Sequence, residues 1–307
     1  MSAPLILDAA AVRAACSPLD AVDAIEGALR GGVDPAGDPP RHSVPLRAGE
    51  LLLMPSEGTS THVGIKVVTV APDNPARGLP RIEASYLLYD AATLSLVAVL
   101  DGTELTTLRT PAVSVAAIRA RLRTRAEPRV AVIGAGPQAH GHIATLSAVR
   151  SLSAVRYLVR DPSRAHPVTG AQVVALGSPD ADDELRRADV IVCATSARTP
   201  LFDAALVGDT AVVVAVGSHE PDAREVPSAL CARATVVVED VATALREAGD
   251  VCLAIDDGAL QASDLVMMRD VVTGVVTPAV DRPVLFKSVG MSWQDLVVAE
   301  AVLAGLR

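Results

Sequence analysis

The segment Arg129-Val-Ala-Val-Ile-Gly-Ala-Gly-Pro-Gln-Ala139 constrains this chain more than any other. Val130 to Ile133 is a short, β-branched apolar run that reads as a buried strand, and it passes at once into G-x-G-x-x-A and then into helix-forming residues. Each small residue has a task in a dinucleotide-binding turn. Gly134 permits the tight turn at the strand end, Gly136 removes the Cβ that would block a pyrophosphate, and Ala139 lets the next helix pack close to the sheet. Phosphates then meet orphan N–H groups at the helix N-terminus, where the macrodipole favours negative charge.

The rhythm beyond this point is that of βα units. Strand-like runs at 155–159, 171–175, 190–194, 211–216 and 235–238 predict a parallel, doubly wound sheet. The preceding part reads differently. Residues 8–30 have helical spacing, with Ser17-Pro18 as an N-cap and first-turn proline, and 31–45 reads as a Gly/Pro-rich loop. Three β-rich runs, at 63–70, 82–89 and 94–100, are separated by turn chemistry and suggest an antiparallel unit. Thr110-Pro111 reads as another N-cap pair, opening a helix through about Arg123, and 292–306 reads as a final helix that packs back on the first domain.

Composition narrows the partners. Half of the 307 residues are hydrophobic but only 2% are aromatic, so the core must be built from Val, Leu, Ile and Ala. A net charge of −9 argues against a nucleic-acid partner, and an anionic ligand has to be gathered by a few local cations. Cys16, Cys193, Cys231 and Cys252 are scattered, which points away from a zinc knuckle or a disulfide framework and towards a reducing cytoplasm. The absence of a long apolar run predicts a soluble chain with no membrane partner. His140 and His142 lie two apart on the predicted helix and so point to different faces; no metal site is expected.

Read over its whole length, the chain resembles the ornithine cyclodeaminase/μ-crystallin family of nicotinamide-dependent proteins. The resemblance rests on Gly64-Ile-Lys-Val-Val68, Leu108-Arg-Thr-Pro-Ala-Val-Ser114, Val132-Ile-Gly-Ala-Gly-Pro-Gln-Ala139, Ala215-Val-Gly-Ser218 with Arg224-Glu225, and Phe286-Lys-Ser-Val-Gly290. It implies an α/β fold in which a Rossmann domain, residues 113–290, is inserted into a mixed α/β substrate and dimerisation domain, residues 1–112 and 291–307. It also implies a homodimer and hydride chemistry on a small amino or imino acid.

By the same resemblance Arg41, Lys66 and Arg109 hold the substrate carboxylate, a task suited to a guanidinium that grips both oxygens in one plane. Read alone, Lys66 is a strand residue facing solvent and Arg109 a surface residue beside a helix start. Glu83, Ala84 and Ser85 stand where many relatives carry Gln-Gly-Thr, and Ser85 keeps a hydroxyl that could reach the substrate. The dinucleotide is assigned to Thr110, Gly134, Gly136, Pro137, Gln138, Ala139, Arg160, Thr195, Ser196, Gly217 and Ser218.

Two departures bear on the reaction. Cyclodeaminases carry an aspartate two residues after the glycine of Gly217-Ser-His-Glu-Pro221, whereas this chain has His219, which can exchange protons near neutral pH but offers no permanent negative charge. Glu220 is the neighbouring alternative. At the end of the second Rossmann strand, Val159 occupies the usual acidic position and Arg160 follows it, which favours NADPH. Asp161, one residue on, would instead bind the ribose and select NADH or NAD. The expectation is an NAD(P)H-dependent imine reductase or amino-acid dehydrogenase using Lys66 and His219. The rivals are an ornithine or lysine cyclodeaminase with bound NAD, and a non-catalytic NADPH-dependent binding protein.

Overall fold

Capping chemistry starts the helices of the N-terminal segment where the sequence places it. After strand β1 (Leu5–Leu7), Asp8 accepts from Ala11 N and opens α1 (Ala9–Ala15). Ser17 and Asp20 then form a reciprocal capping box, with Pro18 at the first position of α2 (Pro18–Arg30). The computed structural model describes residues 3–58 and 61–306. Its chain divides into two compact units, Met1–Val113 with Met291–Arg307, and Ser114–Gly290.

The first unit is built on a six-stranded sheet. Strands β2 (His42–Leu46), β3 (Gly49–Ser56), β4 (His62–Val70), β5 (Ile82–Asp90) and β6 (Leu96–Asp101) pair antiparallel in sequence, and β1 joins β6 in parallel. The loop expected over 31–45 therefore ends early, at β2. All five residues of β2 are exposed, so no period-two burial signal marks it, and Pro45 is tolerated because the strand lies at the sheet edge. Helix α10 (Ser292–Gly305) packs against α1, α2, β3 and β4. The approach is close: a Cβ at Gly305 would stand 1.8 Å from the Ala15 carbonyl oxygen.

Period-two alternation gives this sheet two unlike faces. Met54, Lys66, Tyr86 and Leu100 are cross-strand neighbours, all buried on the α10 side. The other face carries Pro55, Ile65, Leu87, Val99 and Ile6 in one continuous row, with Leu53 and Val67 beside it.

Helix α3 (Gly102–Leu122) corrects the expectation for Thr110-Pro111. The pair lies in the helix interior rather than at its start. An internal proline forfeits one backbone bond and costs about 3 kcal/mol. Burial of Leu105, Ala112, Val113, Val115 and Ile118 along the same helix offsets that cost.

The second unit holds eight parallel strands. Strand β7 (Arg129–Ile133) leads into α4 (Pro137–Val149), followed by β8 (Ala154–Val159), β9 (Gln172–Ala175), α5 (Pro179–Arg187), β10 (Val190–Cys193) and β11 (Val212–Ala215). Then come α6 (Ser228–Arg233), β12 (Thr235–Val238), α7 (Val241–Glu247), α8 (Gly249–Asp256), β13 (Val266–Met267), α9 (Met268–Thr273) and β14 (Val284–Lys287). The order β13-β12-β14-β11-β10-β7-β8-β9 reverses direction between β7 and β10, the switch point at which open α/β sheets bind ligands. Strand β14, absent from the expected runs, inserts between β11 and β12. Its four residues are wholly buried and too few to show a period.

Candidate functional site

A buried charge cluster organises the first unit. Lys66 Nζ lies 2.7 Å from Asp295 Oδ2, Arg109 Nε donates to Asp295 Oδ1 at 3.1 Å, and Arg109 Nη1 donates to Gln294 Oε1 at 2.9 Å. Lys66 is 2% exposed, Arg109 6% and Asp295 0%, which contradicts the solvent-facing reading that these cations receive from local sequence. Lys66 and Arg109 share a single carboxylate, so positive charge is in excess where the two side chains meet. Burial pushes the Lys66 ammonium down to about 8; the charges of Arg109 and Arg41 add to that effect and Asp295 opposes it. At pH 7 the amine is therefore still charged. A buried, positively charged cluster suits the carboxylate of a small ligand.

Asp295 and Gln294 carry the cluster and were not singled out by sequence. Asp295 lies in the first turn of α10, where an acidic residue is also what the helix dipole favours, so its presence asked for no further explanation. The usable signal was the helix itself, which is apolar on all sides. Such a helix is buried all round, and a charge within it needs a partner. Asp38 steadies the same turn, accepting from Trp293 N at 2.9 Å and from Ser56 Oγ at 2.8 Å; burial raises its carboxyl to about 6.

Other candidates in this unit fall elsewhere. Ser85 neighbours Tyr86 along β5 and so points to the opposite sheet face from Lys66, where it is exposed. Glu83 is exposed on the same face as Ser85. Arg41 is half-buried just before β2, and Thr110 is buried beside Arg109 in α3.

The second unit carries the dinucleotide cradle. Gly134 has φ +110°, and a Cβ there would meet the Ala194 carbonyl oxygen at 2.5 Å, so the turn itself requires glycine. Gly136 is different. Its φ of −87° is ordinary and a Cβ would meet nothing within 4 Å. Protein packing gives no reason for glycine at this N-cap, whereas a pyrophosphate seated on the α4 N-terminus does, so the residues present fit a dinucleotide. Pro137 occupies the first position of α4, Gln138 follows, and Ala139 is fully buried. Arg160 is exposed directly after β8. Asp161 caps the next turn, accepting from Ser163 N at 3.1 Å and Ser163 Oγ at 2.6 Å.

Thr195 and Ser196 follow β10, and Gly217, Ser218 and His219 follow β11. Glu220, the alternative proton carrier, pairs with Arg198 at the surface, and Asp222 joins the same guanidinium at 2.6 Å. His142 is a core residue: it bonds Ser114 Oγ at 2.9 Å and Gln138 O at 2.7 Å, and burial pushes it down to about 4.

The ornithine cyclodeaminase/mu-crystallin family model matches residues 3–306. The Delta(1)-pyrroline-2-carboxylate reductase of Bacillus cereus is 34% identical over 275 residues, covering 85% of this chain and 84% of that protein. The Delta(1)-pyrroline-2-carboxylate/Delta(1)-piperideine-2-carboxylate reductase of Azospirillum brasilense is 37% identical over 272 residues, covering 84% and 81%. Among solved structures, Thermococcus litoralis Delta(1)-pyrroline-2-carboxylate reductase in complex with NADH and L-proline aligns with a TM-score of 0.88 at 25% identity, covering 98% and 97%. An archaeal alanine dehydrogenase dimer with bound NAD aligns at 0.86 and 27% identity, covering 98% and 95%. The chain belongs to the ornithine cyclodeaminase/mu-crystallin family.

Proposed function

We propose that the protein is an NADPH-dependent reductase of a small cyclic α-imino acid, of the pyrroline-2-carboxylate or piperideine-2-carboxylate type. The observation that carries this reading is the buried Lys66–Asp295–Arg109 cluster, whose surplus positive charge matches a substrate carboxylate. Relatives named as reductases of such imines, 34% and 37% identical, support it. When bound, the reduced nicotinamide supplies the hydride. Lys66 and Arg109, with Arg41, fix the carboxylate and so orient the imine carbon. Delivery of the proton at the substrate nitrogen is assigned to His219, which stands where cyclodeaminases carry an aspartate.

NADPH rather than NADH is supported by Arg160 at the end of β8 and by the use of Asp161 as a turn cap. The test is nicotinamide absorbance with each cofactor and both cyclic imines. NADPH-selective oxidation is the expected result; ammonia release from ornithine or lysine with no net change in cofactor would replace this reading by the lyase.

Two further outcomes follow from the site. Gly136→Ala should change unfolding free energy by no more than about 1 kcal/mol, since the added Cβ enters open space, while NADPH affinity in a fluorescence titration falls at least about tenfold. Imine kcat/KM should fall as pH rises through about 8, where Lys66 loses its proton. Lys66→Arg stays charged at all accessible pH and should carry the plateau higher; a limb that does not move would assign the titration to another group.

The same reading makes the protein a homodimer in which a second copy covers the outer sheet face. The row Ile6, Val99, Leu87, Ile65 and Pro55 is contiguous and apolar, with Ile6 exposed and the other four half-buried, and a second copy would cover what remains open. The alanine dehydrogenase structure is of a dimer. Sedimentation should give a dimer for the native chain and a folded monomer for Ile65→Lys with Leu87→Lys; a native monomer would remove this assignment. No helix among the described residues is long and apolar enough to cross a membrane. Four unpaired cysteines accord with residence in a reducing cytoplasm.

A further inference from the structure

His219 follows two residues whose main-chain atoms are held from below by buried charges. The Glu225 carboxylate, fully buried, accepts from Gly217 N at 2.7 Å through Oε2. Its Oε1 accepts from Thr195 N and Thr195 Oγ1, each at 2.8 Å. One carboxylate thus clasps the segments that follow β10 and β11. The fit is tight enough to dictate a neighbour: a Cβ at Gly217 would stand 2.5 Å from Glu225 Oε1 and 2.0 Å from the Thr195 carbonyl oxygen.

The carbonyl side of the same turn is held by the opposite charge. Lys287, at the end of β14, donates from Nζ to Ser218 O at 2.7 Å and pairs with Asp250 Oδ2 at 2.8 Å. Asp250 Oδ1 in turn accepts from Glu225 N at 2.7 Å and Val226 N at 2.9 Å. Glu225, Asp250 and Lys287 are each at most 1% exposed. Burying three charges is costly unless their geometry serves a purpose, because apolar residues of equal volume would pack as well or better. These charges do not lie in the carboxylate cluster. Two of their hydrogen bonds end on the backbone of Gly217 and Ser218, directly before His219.

We propose that Glu225, braced by Asp250 and Lys287, is a positioning residue that fixes the Gly217–Ser218 backbone and thereby the presentation of His219. The inference rests on the proton-delivery role given to His219 above. The amide N–H of Gly217 and the carbonyl of Ser218 belong to adjacent residues, gripped by the Glu225 carboxylate from the segment before α6 and by the Lys287 ammonium at the end of β14. Rotation of the turn would break both bonds. A carboxylate is needed because all three groups that meet Glu225 are donors. In Glu225→Gln one oxygen becomes an NH₂ that must face an N–H, so one of the two segments is released.

The test combines Glu225→Gln with Glu225→Asp, which keeps the charge but shortens the reach, and with His219→Asn. In the cofactor-free protein, amide exchange at Gly217 should quicken at least about tenfold in both Glu225 variants while strands β7 and β11 exchange at the native rate. In turnover, imine kcat should fall about 100-fold, the cost of a misplacement of about 1 Å, with imine KM little changed. In the His219→Asn background the same Glu225 substitution should cost less than about threefold, since it acts through the missing group. Fully additive losses in the double variant, or Gly217 exchange at the native rate in either variant, would overturn the proposal. If His219→Asn alone turns over normally, the proton-delivery role fails, and the linkage between Glu225 and His219 falls with it. Accelerated exchange would then show only that Glu225 secures the turn.

Discussion

Asp295→Ala is expected to destabilise the protein by about 3–5 kcal/mol in urea unfolding, the largest stability effect of any single substitution considered. The carboxylate is fully buried and receives Lys66 at 2.7 Å and Arg109 at 3.1 Å. Removing it leaves two buried cations facing one another, and each must lose its proton, draw in water or unfold its surroundings. For Lys66 the first route is open, because its pKa is already held down at about 8. Asp295 raises the Lys66 pKa, so without it the amine loses its proton below pH 8, and the stability of Asp295→Ala should rise with pH from there up to the free-lysine range, over which only the unfolded chain still binds that proton. The guanidinium of Arg109 cannot follow, so recovery is partial. Asp295→Ala combined with Lys66→Met should be more stable at pH 7 than Asp295→Ala alone. Equal stability of the two would mean that the Lys66 charge is not what Asp295 compensates.

The second large effect is on catalysis. Lys66→Met should lower kcat/KM for a cyclic imino acid by about 100-fold or more, since a buried charge-assisted contact to a carboxylate contributes about 2–3 kcal/mol. The substitution keeps the length and apolar stem of the side chain, and Asp295 retains Arg109, so the fold should persist. NADPH affinity should be unaltered, which separates loss of the carboxylate contact from general damage. A fall in NADPH affinity of the same size as the fall in kcat/KM would point to disruption of the whole protein. Restoration of activity by Lys66→Arg below pH 8 would show that charge at this position, rather than a proton supplied by an amine, is what the reaction needs.

Much of the architecture was legible because its signals are local. The run Val130 to Ile133 followed by G-x-G-x-x-A gives strand, turn and helix from three short-range rules, and β7 and α4 lie there. The Ser17-Pro18 cap, the three long β-rich runs and the last helix are equally local, and each appears with shifts of a few residues at its ends. What was misread also has a local cause. Thr110-Pro111 has the composition of a helix start, yet α3 is already two turns old there, and packing on both sides of the proline outweighs the lost bond. Strand β14 escaped notice because four buried residues display neither period, and strand β2 because an exposed edge has no buried face to alternate with.

By itself, the sequence determined the fold class, the family and the type of cofactor turn, because those depend on residue types at fixed short spacings. Only the tertiary structure decided which charges meet. Asp295 reaches Lys66 across 229 positions, Lys287 reaches Ser218 across 69, and Glu225 joins two loops that are 22 residues apart. It also decided that Ser85 and Lys66 lie on opposite faces of one sheet and that Glu220 is held by Arg198. The physical reason is common to all of these. Whether a lysine on a strand is a solvated surface charge or a buried one depends on what packs over it, and that is set by strand register and helix docking rather than by its neighbours in the chain.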